Sequence, residues 1–224
     1  MDAAINVSPD LNLFTMARVT PTVFVVDDDI SIRESLESLI TRAGWRAELF
    51  ASAQEFLASP RASSPSCLIL DMSLPDLNGL ELQQRVAGER SEMPIIFITG
   101  YGDIPMSVQA MKAGAVEFLT KPYTAAVLLQ AIHGALENSR ICLSKQANFQ
   151  ALRDFYEALT RREQEVMGLV VRGQLNKQIG GQLGICEITV KQHRGRVMHK
   201  MRARSLPELV NIAARLGLEI AGKS

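Results

Sequence analysis

Cysteine is scarce in this 224-residue sequence: Cys67, Cys142 and Cys186 stand far apart, form no CxxC pair and leave an odd count. A disulfide framework is thereby excluded, and a reducing compartment, the cytoplasm, is the natural setting. Histidine offers no metal site either. His133, His193 and His199 lack ligand spacing, and the last two, six apart, fall on different sides of a helix. No run of eighteen apolar residues occurs, so no membrane-spanning segment is expected. Residues 1–20 lack the basic, apolar, small-residue succession of a secretory signal and read as a disordered tail.

What is present is a chain long enough for two domains, with 47% hydrophobic residues to build their cores. The overall charge of zero hides a division. Residues 21–140 carry nine Lys/Arg against fifteen Asp/Glu, a net −6, whereas residues 159–204 carry ten against three, a net +7. One acidic domain and one basic domain with a polyanionic partner follow from that split.

The first part alternates strands and helices. Strand patterns at 22–26, 46–50 (the weaker one, with Arg46 and Glu48), 67–70, 94–98 and 115–119 are separated by helical patterns at 30–43, 53–58, 79–88, 104–113 and 125–136. Five such repeats imply a parallel sheet with helices on both faces, an α/β, doubly wound architecture. Residues 139–158 are mixed and polar and read as a helical linker. Residues 159–224 hold four helical patterns, at 161–172, 176–183, 187–201 and 206–216, and no strand.

Ligands of open parallel sheets bind beyond the carboxyl ends of the strands. Here those ends carry Asp27 and Asp28 (first strand), Asp71 (third), Thr99 (fourth) and Lys121 (fifth). Each alone reads as a turn, a cap or punctuation. Together they predict a convergent cluster. Neighbouring carboxylates repel and call for a cation, and an all-oxygen set suits Mg²⁺. A lysine and a hydroxyl beside it suit the oxygens of a phosphoryl group, with Asp71 as nucleophile. Asp29 is set apart as a helix N-terminal residue.

The segments VVDDDI, LILDMSLPDLNG and IIFITGYGDIPMSVQAMKAGAVEFLTKP together resemble the CheY-like receiver domain of two-component response regulators, in its FixJ branch, over residues 21–138. The resemblance implies that Asp71 is the phospho-acceptor, that Asp28 binds Mg²⁺ with Asp27 assisting, and that the backbone carbonyl of Ser73 adds a ligand. It further implies that Thr99 and Lys121 contact the phosphoryl oxygens and that the Lys121–Pro122 bond is cis. Thr99 and the aromatic Phe118 would form the switch, although Phe118 read by itself is equally a core residue.

In the basic part, Thr160 and Glu163 form a capping box. On the third helix, Val190, Val197 and Met201 share a core-facing stripe, while Lys191, Gln192, Gly195, Arg196, His199 and Arg202 share the opposite face, which can enter a major groove. Asn176, Lys177 and His193 fit phosphate contacts, and Arg194 lies near the core edge. The segments LTRRE, NKQI and TVKQH resemble the LuxR/NarL-type helix-turn-helix over residues 159–217, which implies that Thr189 and Arg194 join Asn176, Lys177, Lys191, Gln192, His193 and Arg196 in contacting DNA. Two departures stand out. Gly195 replaces a base-contacting side chain of some relatives, and Cys186 stands where relatives often have a serine cap.

The resulting expectation is a response regulator of the NarL/FixJ family, not an enzyme. A sensor histidine kinase would phosphorylate it, and it would bind double-stranded DNA as a homodimer when phosphorylated, on half-sites about 10 bp apart or a multiple. RNA polymerase is a further expected partner. Two competing readings fit the residues less well. An inert receiver does not explain why the whole set Asp27, Asp28, Asp71, Thr99 and Lys121 is intact. A haloacid-type phosphatase needs an aspartate where Ser73 stands, and no phosphate-cradling loop for a flavin follows the first strand.

Overall fold

A computed structural model describes residues 20–75, 77–100 and 104–218, so the expected tail lies, apart from Thr20, outside the described residues. The chain divides into two compact units, 1–143 and 144–224.

In the first unit, alternation along each strand decides which helices it meets. The strands are β1 (Thr22–Val26), β2 (Arg46–Phe50), β3 (Ser66–Asp71), β4 (Ile95–Thr99) and β5 (Glu117–Thr120), all parallel and ordered β2-β1-β3-β4-β5. Successive side chains point to opposite faces. Phe24, Val26, Leu68, Leu70 and Phe97 face α2 (Ala53–Ala58), α3 (Gly79–Glu89) and α4 (Ile104–Lys112), burying Phe56, Leu82, Val86 and Ala110. Val23, Val25, Cys67, Ile69, Ile96 and Ile98 face α1 (Ile30–Arg42) and α5 (Ala125–Glu157), burying Leu36, Ile40, Leu128, Ile132 and Leu136. Both faces of β1, β3 and β4 are covered, which is why these strands read as continuous apolar runs. The edge strand β2 is only partly buried, matching its weaker pattern.

Chain order reverses at β1, flanked by β2 on one side and β3 on the other. The crevice beyond the carboxyl ends of β1 and β3 is the switch point where ligands of such sheets sit. Pairing of Val26 with Leu70 carries Asp27 and Asp71 side by side into it.

One boundary differs from the sequence reading. β5 begins at Glu117 rather than Ala115, because Ala115 is taken up by the turn that closes α4: its N–H donates to the Ala110 carbonyl at 3.0 Å. The fifth helix runs unbroken to Glu157, so the stretch read as a helical linker continues it, with no proline and no glycine after Gly134.

The second unit contains α6 (Arg161–Val171), α7 (Asn176–Leu183), α8 (Glu187–Lys200) and α9 (Leu206–Arg215) around Val166, Met167, Val170, Ile179, Val190, Val197, Met201 and Leu209. Leu152, Phe155 and Tyr156, from the last turns of α5, pack against this core. The turn between α7 and α8 brings backbones close. A Cβ on Gly180 would stand 2.7 Å from the Ile185 carbonyl oxygen, so this position admits glycine alone.

Candidate functional site

Ligand oxygens of Asp27, Asp28 and Asp71 lie within 4.8 Å of one another beyond the ends of β1 and β3. Asp27 is 3% exposed and Asp71 9%, while Asp28 is open to solvent. The loop backbone sets their orientation: Asp27 accepts from the Asp29 N–H at 2.9 Å, and Asp71 accepts from the Ser73 N–H at 3.1 Å. The register of β4 and β5 pairs Thr99 with Thr120, and the Lys121 N–H then donates to the Thr99 carbonyl at 2.8 Å. Lys121 follows a strand end as expected, its bond to Pro122 is cis, and its Nζ bridges Asp27 (3.3 Å) and Asp71 (3.2 Å). Thr99 is fully buried at the end of β4.

Three carboxylates thus face one ammonium. Burial lifts the Asp27 carboxyl above the usual aspartate range, against the opposing pull of the Asp29 N–H and Lys121, and with a push from Asp71. Burial also works against the charge of Lys121, but Asp27 and Asp71 outweigh it and raise the lysine. The cluster is short of positive charge. Its donors are all hard oxygen, which fits a small divalent ion of the magnesium type.

Asp29 caps α1 by accepting from the Ser31 N–H at 2.8 Å, which accounts for the third aspartate without giving it to the cluster. Two neighbours carried no sequence signal. Arg33, one turn into α1, donates from Nη1 to the Asp27 carbonyl at 2.6 Å. Tyr123 sits just past the cis bond, its phenol raised by burial despite Lys121. Phe118 is half-buried, its ring centre 6.2 Å from that of Phe97, on the sheet face that meets α2, α3 and α4.

On α8 the faces divide as the helical period predicts. Val190, Val197 and Met201 are buried, whereas Lys191, Gln192, Gly195, Arg196 and His199 are exposed. Lys191 is held loosely by Glu187, one turn earlier, at 3.9 Å. Lys177 is exposed at the start of α7. Other expected contacts have internal partners. Arg194 donates to Asn176 Oδ1 at 2.9 Å, which ties α8 to the start of α7. The Thr189 hydroxyl lies 3.0 Å from Cys186 Sγ. His193 is half-buried, with Nδ1 shielded and unpartnered, so a phosphate contact there would run through Nε2. Arg202 departs from the expectation. α8 ends at Lys200, so Arg202 lies beyond the helix, and its guanidinium, though exposed, covers the Phe155 ring.

Comparison with known proteins agrees with both halves of this geometry. Residues 23–133 match the response regulator receiver domain, and residues 157–213 match the bacterial regulatory proteins of the luxR family. The chain is 48% identical over 204 residues to Nodulation protein W of Bradyrhizobium diazoefficiens, covering 91% of this chain and 90% of that protein. It is 38% identical over 196 residues to the transcriptional regulatory protein FixJ of the same organism, covering 88% and 96%. The solved structure of the response regulator StyR superposes with a TM-score of 0.79 at 46% identity, covering 88% of this chain and 99% of that one. An aspartate cluster at the switch point of a receiver, joined in one chain to a LuxR-type DNA-binding domain, makes this protein a response regulator of the NarL/FixJ family, a phosphorylation-dependent transcription factor.

Proposed function

We propose that Asp71 accepts a phosphoryl group from a sensor histidine kinase and that this event controls DNA binding through α8. The observation that carries the reading is the convergence of Asp27, Asp28 and Asp71 with Lys121 bridging two of them. An Asp71 oxygen attacks phosphorus, the P–O bond forms, and the bond from phosphorus to the donor imidazole breaks. Lys121 and Thr99 meet the phosphoryl oxygens. Asp27, Asp28, Asp71 and the Ser73 carbonyl would hold Mg²⁺, which when bound neutralises charge on those oxygens. Phosphorylation adds about −1.5 to −2 charge. Thr99 then turns inward, Phe118 follows, and the surface of α4, β5 and α5 changes so that two copies pair.

The basic face of α8, through Lys191, Gln192 and Arg196, reads base edges. Lys177 and His193 supply phosphate contacts, while Thr189 supports α8 near its start and the Arg194–Asn176 bond holds α8 to the start of α7. We take residues 21–138 as the receiver and 159–224 as the DNA-binding domain, joined by 139–158. RNA polymerase is the partner of the DNA-bound form. The setting is the cytoplasm; no described helix is long and apolar enough to cross a membrane.

The test measures mass and DNA affinity with and without a small phosphodonor, in the wild type and in Asp71→Ala. Dimerisation and tighter binding in the wild type alone are expected. A wild type that does not respond, or an Asp71→Ala variant that does, would sink the reading. Lys191→Ala should separately weaken DNA binding; unchanged affinity and salt dependence would count against it as a DNA contact.

A further inference from the structure

Among the described residues, wherever a helix runs out through a residue of positive φ, that residue is glycine in every case but one. α1, α4, α6, α7 and α9 each run out into a glycine with positive φ: Gly44, Gly114, Gly173, Gly184 and Gly217. Any other L-residue there crowds its Cβ against the following carbonyl, at a cost of about 1–2 kcal/mol. The recognition helix α8 runs out into Arg202 instead, at φ 54°, and among the described residues no other non-glycine has positive φ. The backbone of this turn is closed in the ordinary way: the Ala203 N–H donates to Met198 C=O at 3.0 Å, and the Arg202 N–H to His199 C=O at 3.1 Å. Glycine would satisfy every one of those bonds. A cation near a helix C-terminus is favourable, but Lys200 already provides that. The reason for arginine therefore lies in its side chain.

That side chain has a defined place. The guanidinium carbon stands 4.6 Å from the centre of the Phe155 ring, in the last turn of α5. Two residues earlier, Lys200 Nζ donates to the Ala158 carbonyl at 3.2 Å and pairs with Glu163 at 2.6 Å. The end of α8 is thus fastened at two points to the stretch 155–163.

We propose that Arg202 and Phe155 are positioning residues for DNA recognition: their cation–π clasp sets the tilt of α8 against the end of α5, so that Lys191, Gln192 and Arg196 meet base edges in register. Phosphate contacts tolerate a change of tilt and base contacts do not, so the clasp acts on selectivity rather than on electrostatic attachment. The inference rests on α8 being the base-reading helix, which Lys191→Ala tests separately.

The experiment uses the full chain and two duplexes, one selected from a random pool by the wild type and one of random sequence. Arg202→Gly suits the backbone and should melt no lower than the wild type. It should nonetheless bind the selected duplex about three- to tenfold more weakly, the scale of a cation–π contact, with random-duplex binding unchanged. Phe155→Leu should show the same loss, Phe155→Tyr and Arg202→Lys should restore most of it, and the double variant Arg202→Gly/Phe155→Leu should be no worse than either single one. Wild-type selectivity in Arg202→Gly would overturn the proposal. So would equal weakening on both duplexes with the salt dependence reduced by about one in Arg202→Gly but not in Phe155→Leu, which would make Arg202 a phosphate contact.

Discussion

The two units bury charge in opposite ways. In the receiver, Asp27 and Asp71 are nearly inaccessible, sit beside a third carboxylate and share one lysine, and burial raises Asp27. In the DNA-binding unit, Glu163 is just as hidden, at 2% exposure, but has Lys200 at 2.6 Å and the Thr160 N–H at 2.9 Å, and its carboxyl is held below the usual range chiefly by the lysine. A buried acid whose partners more than repay its dehydration is part of the framework. A buried acid left short of positive charge marks a place where something else binds.

Breaking the framework should have the larger consequences. Gly180→Ala forces a Cβ onto the Ile185 carbonyl and should lower the stability of the helical unit by about 1–3 kcal/mol, whereas Gly195→Ala, which meets nothing within 4 Å, should raise it by up to about 1 kcal/mol; chemical denaturation separates them. Glu163 comes next. Because its folded pKa is depressed, its contribution is complete above 4.5, the ordinary glutamate value, and is withdrawn as the pH falls from there through the lower folded value. The melting temperature of the wild type should drop across that interval, and Glu163→Gln should flatten this part of the profile while lowering stability at pH 7.

The site gives the opposite sign. Asp27→Asn removes a dehydrated negative charge and should raise the melting temperature by a few degrees in chelator. Added Mg²⁺ should erase that advantage by stabilising the wild type alone; a variant less stable than the wild type in chelator would overturn the contrast. The smallest effect belongs to the cap of α8. The Cys186 thiol makes no capping bond to the helix backbone, so Cys186→Ser should add about 0.5–1 kcal/mol, read from the melting temperature.

Much of the site was legible because a parallel sheet needs only chain order to bring its strand ends together. Asp27, Asp71, Thr99 and Lys121 each follow a run of apolar residues, and those runs are the strands. Arg33 and Tyr123 were not legible, since each reaches the cluster from a helix or a loop whose path the pattern does not fix. On α8, helical periodicity sorted Lys191 and Gln192 from Val190 correctly. It failed at Arg202, because a projection at 100° per residue continues past the point where the helix stops. It was equally blind to the Arg194–Asn176 bond, which depends on a second helix.

One helix, α5, contributes Leu128 and Ile132 to the first core and lends Leu152, Phe155 and Tyr156 to the second. The polypeptide is therefore better cut within α5 than at the end of that helix. A fragment starting at residue 159, where the helix-turn-helix pattern begins, would be shorn of three large side chains, and proteases or expression hosts should treat it as a frayed object. One starting near residue 144 would keep its own lid and behave as a free-standing piece.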